Sequence, residues 1–166
     1  TFIVCMTEDK SDLPGAAFWR SALALYKRPG VAGELLALQD RHGGDVMAVL
    51  WAITALEAGR APDTADIGRF FEATADARRS AAKARARRRR LKQGDPDAYA
   101  AAKRHELAAE RAIAAAAPDP MTTGAAEPDP SRRRTAAAAA FLAAWSDPPD
   151  AAAAAAYRKA FQIARI

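Results

Sequence analysis

Hydrophobic residues recur along most of the chain at steps of three and four, the spacing that places them on one face of an α-helix. Aspartate or proline precedes several of these segments, and glycine or Pro-Gly follows others, as is typical of helix starts and stops. The pattern predicts helices over residues 14–28, 31–41, 46–58, 64–92, 96–117, 132–145 and 150–166. No stretch alternates apolar and polar residues as a half-buried β-strand does. The sequence therefore predicts an all-α protein of about seven helices.

Three of these helices define the expected core. Residues 46–58 are apolar on nearly every face, so we expect a central helix in which Leu50 and Trp51 are buried. The helices over 64–92 and 96–117 are separated only by a short turn that contains Gly-Asp-Pro. Two long helices with so short a connection predict an antiparallel helical hairpin.

The chain divides into a core and two less compact ends. Its 166 residues correspond to a single domain. We expect residues 1–12 to be a flexible N-terminus, residues 13–117 to form the helical core, and residues 118–131, with their prolines and acidic residues, to be a mobile linker. The C-terminal helices over 132–166 contain runs of alanine, which favour helix but offer little surface to bury. We therefore expect them to be more loosely attached.

Composition and motifs narrow the class of protein. The single cysteine, Cys5, cannot form an intramolecular disulfide, and no apolar run reaches the roughly 20 residues needed to cross a bilayer. These features predict a bacterial cytoplasmic protein with no transmembrane segment. The chain has no glycine-rich phosphate loop, cysteine pair, G-x-S-x-G or H-E-x-x-H motif. We therefore expect no metal, no cofactor and no catalytic residue, which favours a non-enzymatic protein without excluding an enzyme.

The stretch LQDRHGGDV places Asp40, His42 and Asp45 close together in sequence. Residues two apart on a helix diverge by about 200°, so Asp40 and His42 cannot share a face there. Gly43 stands where a helix favours a left-handed C′ residue, and Asp45 stands where the next helix favours an N-cap. A tight turn between two helices therefore explains this stretch better than a metal or acid–base site.

Basic residues are concentrated in one segment. Nine of them, and no acidic residue, lie between Arg78 and Lys92. The whole chain has a net charge of +5, so the remainder, with 16 basic and 20 acidic residues, has a net charge of −4. A solvated helix would explain this run, and so would a binding surface for an anionic partner. The candidate binding residues are Arg85, Arg87, Arg88, Arg89, Arg90 and Lys92.

The basic segment lacks the features that usually accompany nucleic-acid binding. No aromatic residue is interleaved with the arginines for base stacking, and no helix-turn-helix or zinc-finger pattern is present. Nucleic acid is thus possible but unsupported by a motif, and a protein partner is favoured. On the following helix, we expect Glu106 and Glu110 to form solvent-side pairs with Lys103 and Arg111.

One part of the sequence resembles a known family. Phe18 to Trp51 reads FWRSALALYKRPGVAGELLALQDRHGGDVMAVLW, and later stretches read ARRRRLK and YAAAKRHELAAE. The matching features are Phe18-Trp19, Leu25-Tyr26, the Arg28-Pro29-Gly30 turn, Leu38 to Gly43 and Asp45-Val46. They resemble the N-terminal signature of an uncharacterised proteobacterial family of small proteins, catalogued only as a domain of unknown function. The resemblance covers residues 13–114 and implies a common fold but no activity, because that family has no established function.

Two hypotheses about function remain. The first is a non-enzymatic interaction or adaptor protein that engages an acidic partner through the basic helix. The second is a small-ligand-binding protein or an enzyme. Its pocket would lie among Trp19, Tyr26, Asp40, His42 and Trp51.

Overall fold

The protein is almost entirely helical in a computed structural model that describes residues 13–144 and 151–162. The seven helices in this part of the chain are α1 (Ala16–Tyr26), α2 (Val31–His42), α3 (Val46–Glu57), α4 (Thr64–Leu91), α5 (Pro96–Ala116), α6 (Pro130–Ala144) and α7 (Ala151–Phe161). The all-α prediction is confirmed. The predicted flexible N-terminus, residues 1–12, lies outside the described residues.

Helix α3 is the centre of the molecule, as its apolar sequence predicts. Every residue from Val46 to Leu56 is buried, and α3 contacts all six other helices. Leu50 and Trp51 are both fully buried, so this prediction is also confirmed. The Trp51 ring lies against Phe70 of α4, with 5.0 Å between ring centroids, and its Nε1 donates a 2.8 Å hydrogen bond to the Pro118 carbonyl.

Helices α4 and α5 form the most extensive helix pair, which is consistent with the predicted antiparallel hairpin. Helix α4 begins with a capping box: the side chains of Asp63 and Asp66 each accept a hydrogen bond from the backbone N–H of the other residue. Helix α5 begins with Asp95 as N-cap and proline in its first turn. Several of their buried positions are alanines, which allow the two backbones to approach closely: Ala81 and Ala84 on α4, and Ala102, Ala109 and Ala114 on α5.

Helices α6 and α7 belong to the main core, contrary to the expectation that they are loosely attached. Phe141, Tyr157 and Phe161 are buried in the same hydrophobic cluster as α3. The Phe141 ring lies 5.7 Å from Tyr157 and 5.2 Å from Phe161 between centroids. The alanine runs themselves bury little apolar surface. Because alanine is small, however, α6 and α7 can pack closely enough for these three aromatic side chains to reach the core.

The segment predicted as a mobile linker is anchored along the body. Residues Arg60–Ala61 (β1) pair antiparallel with Ala125–Ala126 (β2), a short ladder that the sequence pattern did not predict. Two residues are too few to show the alternation of a strand. In addition, the Glu127 N–H donates to the Gly59 carbonyl at 3.1 Å. These bonds define a path for the segment that we did not expect.

The turn between α2 and α3 has the structural role that the sequence predicted. Gly43 adopts the left-handed conformation, with φ of +64°, and its N–H donates to the Gln39 carbonyl at 3.1 Å. The Asp45 Oδ1 accepts a 2.9 Å hydrogen bond from the Ala48 N–H at the start of α3. The C-cap and N-cap assignments are therefore confirmed.

Candidate functional site

Helix α4 presents its basic residues on different faces. Arg85, Arg88, Arg89 and Lys92 follow one another at steps of three, one and three, so they share one face of the helix. Together with Leu36, Gln39 and Asp40 of α2, they line an open cleft of about 200 Å³. Arg87 and Arg90 are exposed on α4 and are not among the residues that line this cleft.

Two glutamates of α5 hold the inner arginines in place. Glu106 accepts a 3.2 Å hydrogen bond from Arg85 Nε on one carboxylate oxygen and a bond from Arg88 Nε on the other. Glu110 Oε1 lies 3.5 Å from Arg85 Nη2. Both glutamates are buried, Glu110 almost completely, at 1% exposure. Two arginines of α4 and two carboxyl groups of α5 therefore meet at the hairpin interface.

This arrangement differs from the solvent-side pairs that we expected for Glu106 and Glu110. A repeat of three and four residues places both on the stripe that also buries Ala102, Ala109 and Ile113. The hydrophobic periodicity of α5 is the signal that locates the two glutamates, because both occupy positions of the apolar stripe. Their acidic side chains are buried because α4 supplies arginines opposite them.

Burial and the neighbouring Glu106 raise the pKa of Glu110 to about 8, and this outweighs the opposite influence of Arg85 and Arg88. The Glu110 carboxyl is consequently mostly protonated at neutral pH. It then adds little negative charge beside the arginines. Glu106 remains the main acidic partner of the inner arginines.

This cleft adjoins another one toward the start of α3. A second cleft of about 280 Å³ is lined by Arg78 and Arg85 of α4 and by Gln39 and the turn before α3. Gln39 and Arg85 line both clefts, so the two clefts adjoin, and together we call them the basic trough. Its cations span Arg78 to Lys92, about 21 Å at 1.5 Å per residue.

Arg78 lines the part of the basic trough nearer the start of α3. Its Nε donates a 2.7 Å hydrogen bond to Asp45 Oδ2, and its guanidinium lies 4.5 Å from the centroid of the Phe71 ring. Asp45 thus caps α3 with one oxygen and binds Arg78 with the other. The sequence indicated the cap, but it could not indicate a partner 33 residues away.

The five residues of the alternative pocket are distributed over different environments. Trp51 and Tyr26 are buried in the core, and Trp19 is buried beneath an open cleft of about 340 Å³. Asp40 is exposed and lines the basic trough instead, whereas His42 is half-buried in the last turn of α2. Trp19 and Asp40 therefore line different clefts.

The described residues offer no cluster of three or more histidine, cysteine or carboxylate side chains that could hold a metal ion. In the same part of the chain, no helix combines the length and the apolar character needed to span a membrane.

Comparison with known proteins identifies a family. A family model with the description "Protein of unknown function (DUF2390)" matches residues 17–116, more than half of the chain. The chain belongs to the DUF2390 family. No curated protein and no solved structure matches it.

The DUF2390 match covers the two faces of the basic trough. The α2 wall, the arginines of α4 and the two glutamates of α5 all lie within residues 17–116. Helices α6 and α7 lie beyond the match, although they complete the hydrophobic core. In this DUF2390 protein, the trough is thus built within the matched region and supported by helices outside it.

Proposed function

We propose that this DUF2390 protein is a non-enzymatic interaction or adaptor protein that engages an acidic protein partner through the basic face of α4. One observation carries the proposal: Arg87, Arg89, Arg90 and Lys92 are exposed, and none forms an ion pair with another described residue. Arginines and lysines that stabilise the fold only through pairing would have acidic neighbours within reach, as Arg85 and Arg88 have.

The charge distribution supports the same proposal. With nine basic residues between Arg78 and Lys92, the rest of the chain has a net charge of −4. An acidic partner would be repelled by that remainder at long range and attracted only by α4. The attraction should weaken with salt, since exposed charges are screened beyond about 8–10 Å at physiological ionic strength.

A protein partner suits this surface better than nucleic acid. Single-stranded nucleic acid is usually bound through aromatic stacking in addition to phosphate contacts. Between Arg78 and Lys92 the chain contains no aromatic residue. Carboxylates of an acidic protein require only the guanidinium and ammonium groups that are present.

The experiment compares two charge-matched variants as bait in the native cell lysate. In the test variant, glutamine replaces the exposed residues Arg87, Arg89, Arg90 and Lys92. In the control variant, glutamine replaces four exposed cations on other helices or turns: Arg20, Lys27, Arg41 and Arg104. Glutamine preserves helix propensity, so circular dichroism should show both variants folded.

Partners identified by mass spectrometry should be acidic, retained by the control and lost by the test variant. A partner that is retained equally by both variants at low salt would contradict the proposal. Arg88 is left unchanged because it binds Glu106, and its loss would confound binding with stability.

A second candidate function rests on the cleft above Trp19. This cleft of about 340 Å³ is mostly apolar, and the guanidinium of Arg111 lies 5.7 Å from the Trp19 ring centroid. A small apolar ligand with a carboxylate would suit such a site. Ligand-observed NMR with a carboxylate fragment set tests it, and Arg111→Gln should abolish the binding of any hit. No hits, or hits that bind the variant equally, would remove this candidate.

Two finer points belong to the proposal as well. A bacterial, cytoplasmic setting is part of the proposal, and the single cysteine, which cannot form an intramolecular disulfide, supports the cytoplasmic part of it. The Arg28-Pro29-Gly30 turn is proposed as part of the family signature. The turn has a structural role in this chain, because Arg28 forms a bidentate ion pair with Glu57, at 2.6 and 3.0 Å, which ties the turn to the end of α3.

A further inference from the structure

We propose that the basic trough binds an extended acidic segment of the partner protein, with carboxylates at alternate positions of that segment. This inference rests on the proposed function and adds both the place and the form of the ligand. It assigns recognition to the trough face of α4, at Arg89 and Lys92, rather than to the outward residues Arg87 and Arg90.

The spacing of the trough cations supports an extended ligand. Arg89 and Lys92, the trough cations without an ion pair among the described residues, are three residues apart, about 4.5 Å along the helix axis, and their long side chains can reach carboxylates that are somewhat further apart. In an extended chain, side chains on one face repeat every two residues, about 6.6–6.8 Å. A segment of about six residues would span the roughly 21 Å between Arg78 and Lys92.

The state of the trough charges leaves cations for a ligand. Arg78 is bound to Asp45, and Arg85 and Arg88 are bound to Glu106. These ion pairs position three guanidiniums. On the same face, Arg89 and Lys92 have no ion pair among the described residues, so their donors remain for the ligand.

The opposite wall adds few opposing charges. Asp40 is the acidic residue that α2 contributes to the trough, and Gln39 and Leu36 beside it are uncharged. The floor near α3 is formed by small or apolar side chains, including Met47, Ala81 and Ile113. Uncharged residues that alternate with the acidic ones can rest on this floor while the carboxylates reach α4.

The same features disfavour a nucleic-acid strand. None of the residues that line the described trough is aromatic, so bases would find no stacking surface. Phosphates alone could still bind the arginines. An oligonucleotide therefore serves as the competing ligand in the test.

The test uses fluorescence anisotropy with the full-length chain and a fluorescein-labelled peptide of about ten residues, in which Glu and Ser alternate. Two double variants remove two charges each from α4: Arg89→Gln with Lys92→Gln on the trough face, and Arg87→Gln with Arg90→Gln on the outward face. All four side chains are exposed, so both variants should fold, as circular dichroism can verify. A peptide with Gln in place of Glu controls for charge-independent binding.

The trough variant should bind the alternating peptide roughly tenfold or more weakly than the wild type, since two charge-assisted hydrogen bonds are lost. The outward variant should lose less than about threefold, because it changes only long-range attraction. The alternating peptide should also bind more tightly than one of equal composition with all its Glu residues in one block.

Other results separate the failure of this inference from failure of the proposed function. Equal losses in the two double variants, or tighter binding of the blocked peptide, would overturn the trough inference and leave a basic-helix interaction intact. Tighter binding of an oligothymidine of about the same length would overturn the peptide as ligand. If the peptide does not bind, but the test variant in the lysate experiment loses a native partner, the trough inference is overturned and the proposed function stands. Failure of both experiments would overturn both proposals.

Discussion

Replacing Glu110 with glutamine should stabilise the protein at high pH and leave its stability nearly unchanged at low pH. Burial raises the pKa of Glu110 from its ordinary 4.5 to about 8, so the folded state keeps a proton that the unfolded chain has already lost. Between these two values, the contribution of this group to stability is present at low pH and is lost as the pH rises through about 8.

The magnitude follows from proton linkage. One extra proton bound by the folded state changes the free energy of unfolding by about 1.4 kcal/mol for each pH unit. Across the interval the total would be a few kcal/mol, of which Arg85 can recover part by moving closer to the ionised carboxylate. Glutamine matches the size of the protonated carboxyl and does not ionise, so the variant should lack this slope.

The assay is urea denaturation, followed by circular dichroism, at several pH values between about 5 and 9. The difference in unfolding free energy between Glu110→Gln and wild type should grow with pH, in favour of the variant. Glu72→Gln is the matched control, because Glu72 is exposed on α4 and its profile should run parallel to that of the wild type. A constant difference between Glu110→Gln and wild type would refute the reasoning. It would mean that the ion pair with Arg85 keeps Glu110 ionised throughout.

Three further predictions concern stability and can be measured by urea or thermal denaturation. Asp45→Ala should cost about 1–2 kcal/mol, because it removes both the N-cap of α3 and the ion pair with Arg78, whereas Asp45→Asn keeps a cap and should cost less. Equal costs would mean that the cap contributes nothing, and no cost for Asp45→Asn would mean that the ion pair contributes nothing. Trp51→Ala should lower the free energy of unfolding by roughly 3–5 kcal/mol. Trp51→Phe should lower it less, and about 1 kcal/mol of the loss in either variant comes from the missing hydrogen bond to the Pro118 carbonyl. A small loss for Trp51→Ala would contradict a central position for α3. Gly15→Ala should lower the Tm clearly, because φ is +74° there and the added Cβ would collide with a carbonyl of α5; an unchanged Tm would show that α1 and α5 do not approach so closely.

Short-range signals were sufficient for most helices and for one turn. Gly43 and Asp45 could be assigned as C-cap and N-cap because each role depends only on residues within one helical turn. The central position of α3 could be predicted because a segment that is apolar on nearly every face must be surrounded by other segments. The hairpin followed from the length of α4 and α5 and the short turn between them.

The candidate site depended much more on how those helices meet. Six basic residues form one group in the sequence, and nothing in their spacing separates Arg85 and Arg88, which bind Glu106, from Arg89 and Lys92, which line the same cleft. Which arginine faces a carboxylate depends on the rotation of α4 against α5. That rotation is determined by packing across the whole interface and not by any local signal.

The burial of the C-terminal helices also depends on tertiary contacts that the local sequence does not specify. Alanine content predicted helix correctly, because helix propensity is a property of the local backbone. It said little about burial, since the aromatic rings of Phe141, Tyr157 and Phe161 lie in a core that distant helices complete. Local backbone chemistry and periodicity therefore specify where the helices of this protein run. The charge pairs, the trough and the membership of the core arise only when segments far apart in sequence come into contact, because each depends on which faces then meet.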